Sequence, residues 1–511
     1  MGISDEWKLD DEERFPGAAY TRAVLEPAYE QAKSELLGPM MAVNQAHLIM
    51  LGEQGLIHEA DASRIADALT RIDLEALSQS TYTGAYEDLF FQVEHELAEL
   101  AGEAAGYLHL GRSRNDMGIA LYRLVLREKL LQAVSSGLFL QRELLKTAEA
   151  HTDTVMIGYT HTQQAQPTTL AHYLSAVADS LGRDLVRLQR AYSGCNRSSM
   201  GAAALTTSGF AVDRSRVAEL LAFDELIVNA YDAVSGSDYV GEAAAAVQLA
   251  AVNLGRFVQE LLLWCTQEFA VLRVAAPYVQ ISSIMPQKRN PVSVEHARAL
   301  LSAVFGDAQT VLTMIHNTPF GDIVDTEDDL QPYAWRSLEK LSAVYRLLAN
   351  VIATLHIRKD VLRTRAEESF ATVTELADTL VRQEGLSFRQ SHLIVSRTVS
   401  RVVESGGSVR DISLQTLDAA ARETVGYPLK LSEEALRQAL DPHNFIEVRK
   451  LPGGPNPLEV ARALKEQQER FDSQRDWLEQ ARGSIRAAEQ QVSRTISEWA
   501  RRVTKLGTEA E

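Results

Sequence analysis

The chain has 511 residues, 46% of them hydrophobic, with 51 basic and 69 acidic side chains and a net charge of −18. A surface of that sign repels nucleic acid and anionic lipid, so a polycarboxylate substrate would need a locally cationic pocket. Cys195 and Cys265 are the only cysteines, too few for a disulfide framework in so long a chain, and a reduced, cytoplasmic setting is expected.

The first fifteen residues are acidic and lack an apolar run, so they do not read as a signal peptide, and Glu6 stands where a myristoylation site wants Ser or Thr. Residues 106–116 form a polar, glycine-bearing break, and residues 158–167 form a second one. Over 168–192, Leu170, Leu174, Val177, Leu181, Leu185 and Leu188 recur at steps of three and four, the spacing of a helix face. Residues 238–272 run without proline and are apolar on most sides; Gln248, Asn253, Arg256, Gln259 and Glu260 make this a buried helix and not a membrane span. Helices of the same kind are expected over 293–316 and 335–356, separated by polar loops at 276–291 and 317–332. After a break at 450–457, the tail 458–504 reads as one or two exposed helices. The class is all-α. A helix as long as 238–272 spans about 50 Å. One chain alone can hardly cover it, so oligomerisation through the central bundle is expected.

Three loops concentrate chemistry. Residues 281–291 place Ser282, Ser283, Lys288, Arg289 and Asn290 in one polar stretch, a composition suited to an anion. Residues 109–116 carry Arg112, Ser113, Arg114 and Asn115, which suit a carboxylate cradle and equally a helix N-terminal cap. His161 sits among hydroxyls and amides just before a long helix. The acidic run 327–329 reads as a solvated face, and the sequence carries no metal-ligand motif, no P-loop and no dinucleotide fingerprint.

Together these loops resemble the aspartase/fumarase superfamily. Its signature GSSxMPxKxNP appears at 281–291 as ISSIMPQKRNP, with Ile281 in place of the glycine. The closer likeness is to argininosuccinate lyases, through HLGRSRND at 109–116, GYTHTQQAQP at 158–167, NRSSMGAAAL at 196–205 with Asp213 and Arg214, and LDPHNF at 440–445 with Arg449. The resemblance covers about 85–465. It implies a three-domain helical fold, here 1–113, 114–362 and 363–511. The middle domain supplies five long helices to a twenty-helix core of a homotetramer, whose sites are each shared by three subunits. It implies a carbon–nitrogen lyase that needs no cofactor or metal and reversibly eliminates fumarate through an aci-carboxylate intermediate. Carried over by motif, Ser282 is the base and Lys288 and Asn290 hold the carboxylate that takes up charge. Arg112, Ser113, Asn115, Thr160, Ser283 and Met285 contact substrate, and His161 pairs with Glu295.

Four departures bear on the leaving group. Phe90 replaces a histidine after Glu87 and Asp88, and Ser237 replaces an arginine. Leu110 replaces a threonine, and 320–331 reads FGDIVDTEDDLQ where the family has YNRDLQEDKE. The fumarate half is kept and the amine half rewritten. An N-substituted aspartate such as the aminopolycarboxylate ethylenediamine disuccinate (EDDS) is the expected substrate, with argininosuccinate, or an inactive structural role, as alternatives. The same matches argue against an adenylosuccinate-lyase-like or fumarase-like activity.

Overall fold

The computed structural model describes residues 15–508, with side chains through Val503. Among the described residues the strands are short and occur in two-stranded pairs, and helices build the rest. Five long helices form the centre: α1 (Arg114–Glu149), α2 (Leu170–Cys195), α3 (Asp238–Cys265), α4 (Val292–Ile315) and α5 (Gln331–Ala353). The hairpin β1 (Val155–Thr160) and β2 (Gln163–Thr169) joins α1 to α2.

Local chemistry sets the ends of these helices. Ser113 caps α1 in a capping box, its backbone N–H donating to Asp116 at 2.8 Å. The Thr169 hydroxyl caps α2 by accepting the His172 N–H at 3.1 Å. α3 stops at Cys265, short of the expected 272. Thr266 turns extended there, and its hydroxyl donates to the Leu263 carbonyl at 2.7 Å while accepting the Phe269 N–H.

The helix directions decide where the loops lie. Arg123 of α1 donates to the carbonyls of Gly194 and Cys195 and stacks over Tyr239 at 3.8 Å. Early α1, late α2 and early α3 therefore share one end of the bundle. Tyr173 and Trp264 lie 4.8 Å apart between centroids, which puts early α2 against late α3 at the opposite end. α4 runs back from that second end, and α5 returns to it, starting with Trp335 beside Tyr122 of α1.

Separate apolar clusters lie in the central bundle, in the N-terminal helices around Ile49 and Ile65, and in a C-terminal group around Leu376, Leu417 and Leu436. The tail differs from expectation. It is one helix, α6 (Pro457–Thr508), and one face of it is buried rather than exposed. Leu464, Phe471, Leu478, Ile485 and Val492 recur every seven residues, the spacing of a coiled-coil seam. Phe471, Leu478 and Ile485 enter the central core, and Val492 and Ile496 enter the N-terminal one. Gln467 and Gln474, also seven apart, donate to the carbonyls of Ser175 and Gly182 of α2 at 2.9 and 3.0 Å. Among the described residues no helix is long and apolar enough to cross a membrane. Both cysteines are free, Cys195 buried and Cys265 partly so.

Candidate active site

The loop before α4 is an arm closed at its neck by antiparallel pairing of Gln280 with Asn290 and Ile281 with Arg289. Ser282 is half-buried within it, and its Oγ accepts the backbone N–H groups of Met285 at 3.1 Å and Ile284 at 3.4 Å. Donors aimed at that oxygen stabilise negative charge on it. The Lys288 N–H donates to the Met285 carbonyl at 3.0 Å, which folds the turn. Ser283, Lys288, Ile281 (76% exposed) and Ile284 (82% exposed) face outward, and Met285 stands at the exposed margin. An arm with an apolar, uncovered tip is shaped to meet another surface.

His161 and Thr162 form the tip of the β1–β2 hairpin, with φ of 50° and 61°. Two positive φ values suit a tight primed turn, but neither residue is a glycine, asparagine or aspartate. Strain held at an exposed histidine is a mark of a functional turn. Thr160 ends β1 beside it and is exposed. Glu295 is exposed on the first turn of α4. Among the described residues no ion pair joins His161 to Glu295 within the chain, so the expected pair is not formed there.

The loop 109–116, the other candidate half-site, lies at the far end. The loop 281–291 precedes α4, and the loop 317–330 follows it. Twenty-four helical residues separate the two, about 36 Å. At this far end the Ser113 hydroxyl donates to the Asn115 side chain, and Asn115 donates to Asp322. Asp116 is fully buried and accepts the N–H groups of Ser113, Gly201 and Ala203 at 2.8, 2.7 and 3.0 Å. Burial nevertheless raises its carboxyl to about 6, against those hydrogen bonds. The loop that supplies two of the donors is held in turn by Arg214. It donates to the carbonyls of Met200, Ile227 and Val228. Gly201 has φ +75°, and a Cβ there would meet Arg214 at 2.6 Å, so glycine is required.

Arg112 is 6% exposed and donates from Nη1 to Asn44 Oδ1 at 2.8 Å, so within the chain its fork is turned toward Asn44. Burial holds its guanidinium down to about 10, and with Arg112 adjacent the buried His47 falls to about 3 and stays neutral. Arg114 is the exposed fork. It pairs with Asp88 and Glu87 and lies 4.9 Å over the Phe91 ring and 5.7 Å from Phe90. The phenylalanine that replaces the family's histidine therefore packs under this cation.

The acidic run 327–329 is likewise not simply solvated. Tyr122, buried on α1, donates to Asp328, and Glu327 is partly buried with its carboxyl raised to about 9 by burial and by Asp322. An acidic loop without a single basic residue between 320 and 331 was the available signal.

Comparison with known proteins agrees with this architecture. A family model described as Lyase matches residues 23–306, and one described as Argininosuccinate lyase C-terminal matches residues 370–447. Argininosuccinate lyase 2 of Agrobacterium fabrum is 39% identical over 460 residues, covering 89% of this chain and 91% of that protein. Argininosuccinate lyase 1 of Shouchella clausii is 35% identical over 452 residues, covering 88% and 91%. The crystal structure of EDDS lyase in complex with formate superposes with a TM-score of 0.87 at 32% identity, covering 93% of each chain.

Proposed function

The chain belongs to the aspartase/fumarase superfamily, on its argininosuccinate lyase-like branch, and we propose that its fumarate-releasing carbon–nitrogen lyase activity acts on an N-substituted aspartate of the EDDS type. Ser282 removes the proton from the carbon beside one carboxylate. The two backbone N–H groups on its Oγ support this role, because they favour the deprotonated hydroxyl the step requires. The carboxylate that gains charge binds Lys288 and Asn290, and the amine leaves from the adjacent carbon. Ser113, Asn115 and Thr160 hold the dicarboxylate, joined by Arg114 as the exposed fork. Arg112 acts from behind, through Asn44. Ser283 and Met285 complete the arm's contact with substrate.

The separation of the two half-sites along α4 supports a shared site. The arm and His161 lie at one end, the Ser113–Asn115 cradle at the other. A side chain cannot bridge about 36 Å. A complete site then takes its arm, hairpin and cradle from different copies, as a homotetramer allows, and His161 meets Glu295 across chains. The chain works on small molecules without cofactor or metal, in the cytoplasm.

Fumarate release, followed by ultraviolet absorbance, tests this reading. We expect turnover of EDDS, and Ser282→Ala should lower kcat at least a thousandfold without changing assembly size. Near-normal rates in Ser282→Ala would remove it as the base. Turnover of argininosuccinate in preference to EDDS would restore the alternative substrate, which the 39% identity to an argininosuccinate lyase favours.

A further inference from the structure

The N-terminal helix Leu37–Glu53 buries Leu48, Ile49 and Leu51 in an apolar cluster, yet Asn44 and His47 on the same helix are 2% and 1% exposed. A buried amide and a buried imidazole are unfavourable unless bonded, and an apolar residue would fill either place at less cost. Both are bonded to one segment, the loop that leads into α1. His47 Nε2 lies 2.8 Å from the Leu110 carbonyl, and Asn44 Oδ1 accepts from Arg112 Nη1 at 2.8 Å. A carbonyl can only accept, so the proton of the neutral ring sits on Nε2. Nδ1 stays buried without a hydrogen bond among the described residues, so the bond to Leu110 is what the ring offers the fold.

The placement suits a grip on that loop. Asn44 and His47 are three apart and so lie one above the other on the helix. Leu110 and Arg112, which they hold, are two apart and directly precede Ser113. Ser113 caps α1, and its hydroxyl donates to the Asn115 side chain. A shift at Leu110 or Arg112 is therefore passed straight to Ser113 and Asn115. Further along the same helix, Met50 Sδ accepts the Asp213 N–H at 3.3 Å, and Glu53 accepts from Arg216 Nε at 2.7 Å. These contacts flank Arg214, which holds the loop that bonds Asp116. One helix thus braces both segments that meet at the start of α1.

We propose that Asn44 and His47 are positioning residues: they clamp the loop 110–112 from behind and so set the Ser113–Asn115 cradle to receive the dicarboxylate. The inference rests on the lyase reading above and adds to it two residues outside the three site loops. Neither residue touches substrate. Without them the cradle loses its fixed geometry, which weakens ground state and transition state alike, while the proposed base stays in place. KM then rises and kcat holds.

The test uses the full chain. His47→Leu and Asn44→Leu remove the polar atom and keep the bulk, whereas His47→Gln keeps a donor at similar reach. Fumarate release is measured against the concentration of EDDS, and of argininosuccinate, and binding of fumarate alone is measured by calorimetry. We expect each leucine variant to raise KM about fivefold or more and to weaken fumarate binding by a similar factor, with kcat within about threefold. His47→Gln should stay within about twofold of the unsubstituted chain in all three. Misfolded chains lower the apparent kcat and leave KM where it was, so a purely structural role gives the opposite split. If a leucine variant does not fold, Asn44→Ala, which adds no bulk, reads the same KM. An unchanged KM in these variants overturns the proposal, whatever happens to their thermal midpoints. So does a KM in His47→Gln as high as in His47→Leu, because the donor would then not be what matters. If the unsubstituted chain neither releases nor binds fumarate, the lyase reading fails and the clamp falls with it. An active chain whose variants keep its KM sinks the clamp alone.

Discussion

Asp116 touches no substrate in the proposed site, yet it ties together two segments that do the positioning. One oxygen accepts the N–H that starts α1, and the other accepts two N–H groups from the loop at 201–203. An asparagine keeps one acceptor oxygen and turns an amide donor toward N–H donors. Asp116→Asn should therefore destabilise the chain by about 1–3 kcal/mol at pH 7 through unpaired buried groups. It should also raise the KM for the dicarboxylate, because Ser113 and Asn115 sit on the same turn. The pH dependence has a definite sign. The folded value near 6 lies above the ordinary 3.8, so the folded chain binds this proton first. The group's contribution then grows as pH falls from about 6 toward about 4 and is constant above 6. Denaturant midpoints at fixed protein concentration should show the gap between the unsubstituted chain and Asp116→Asn widening from pH 7 to pH 5. A constant gap would mean that Asp116 does not titrate there. The motif Arg112–Asp116 was legible in the sequence, but its division of labour was not. Which of two arginines two residues apart faces inward depends on Asn44, more than sixty positions away.

At the scale of elements, helical period revealed four of the central helices, because α2 to α5 bury broad apolar faces that local spacing exposes. The tail was misjudged for a related reason. Through the middle of the seam the recurring apolar residues Phe471, Leu478 and Ile485 come once per seven, diluted by Glu, Gln and Arg, so composition suggested a solvated helix. A narrow seam is enough when the partner is another helix, and glutamines at 467 and 474 can sit in it because α2 offers carbonyls there. Gly52 makes room for the far end of the same helix: a Cβ there would lie 2.5 Å from the Trp499 ring. Phe471→Ala should destabilise by about 3–5 kcal/mol, the range for emptying a buried aromatic site. Gln474→Ala should lose about 1–2 kcal/mol through an unpaired carbonyl and a vacated space. Thermal unfolding of the two variants would check this order. A tail that only drapes over the surface would leave both midpoints where they were.

At the scale of the molecule, the chemistry and the fold make one demand together. The sequence motifs could be read as one site only because their likeness to a family said so; nothing in their order shows that α4 holds two of them a helix length apart. The surface of the bundle also asks for a neighbour. Leu249 and Val252 of α3 and Phe305 of α4 are 47%, 46% and 42% exposed, and the arm adds Ile281 at its neck and Ile284 beyond it. Light scattering should report about four chains, and Val252→Glu should yield smaller, inactive species, since a charge buried in an apolar interface has no partner. A sharper consequence concerns two dead variants. Ser282→Ala lacks the proposed base, and Asn115→Ala lacks a proposed cradle residue, so each alone should release almost no fumarate. If one site takes Ser282 and Asn115 from different copies, assemblies mixed from the two variants contain some sites in which both residues are native. Co-refolding equal amounts should therefore recover a measurable fraction of the activity, while mixing without unfolding should recover none. A site built within one chain gives no active site in any mixture, because every chain carries a defect. Recovery on co-refolding would place the two half-sites on different chains, and its absence, with mixed assemblies confirmed by mass, would sink the shared-site architecture.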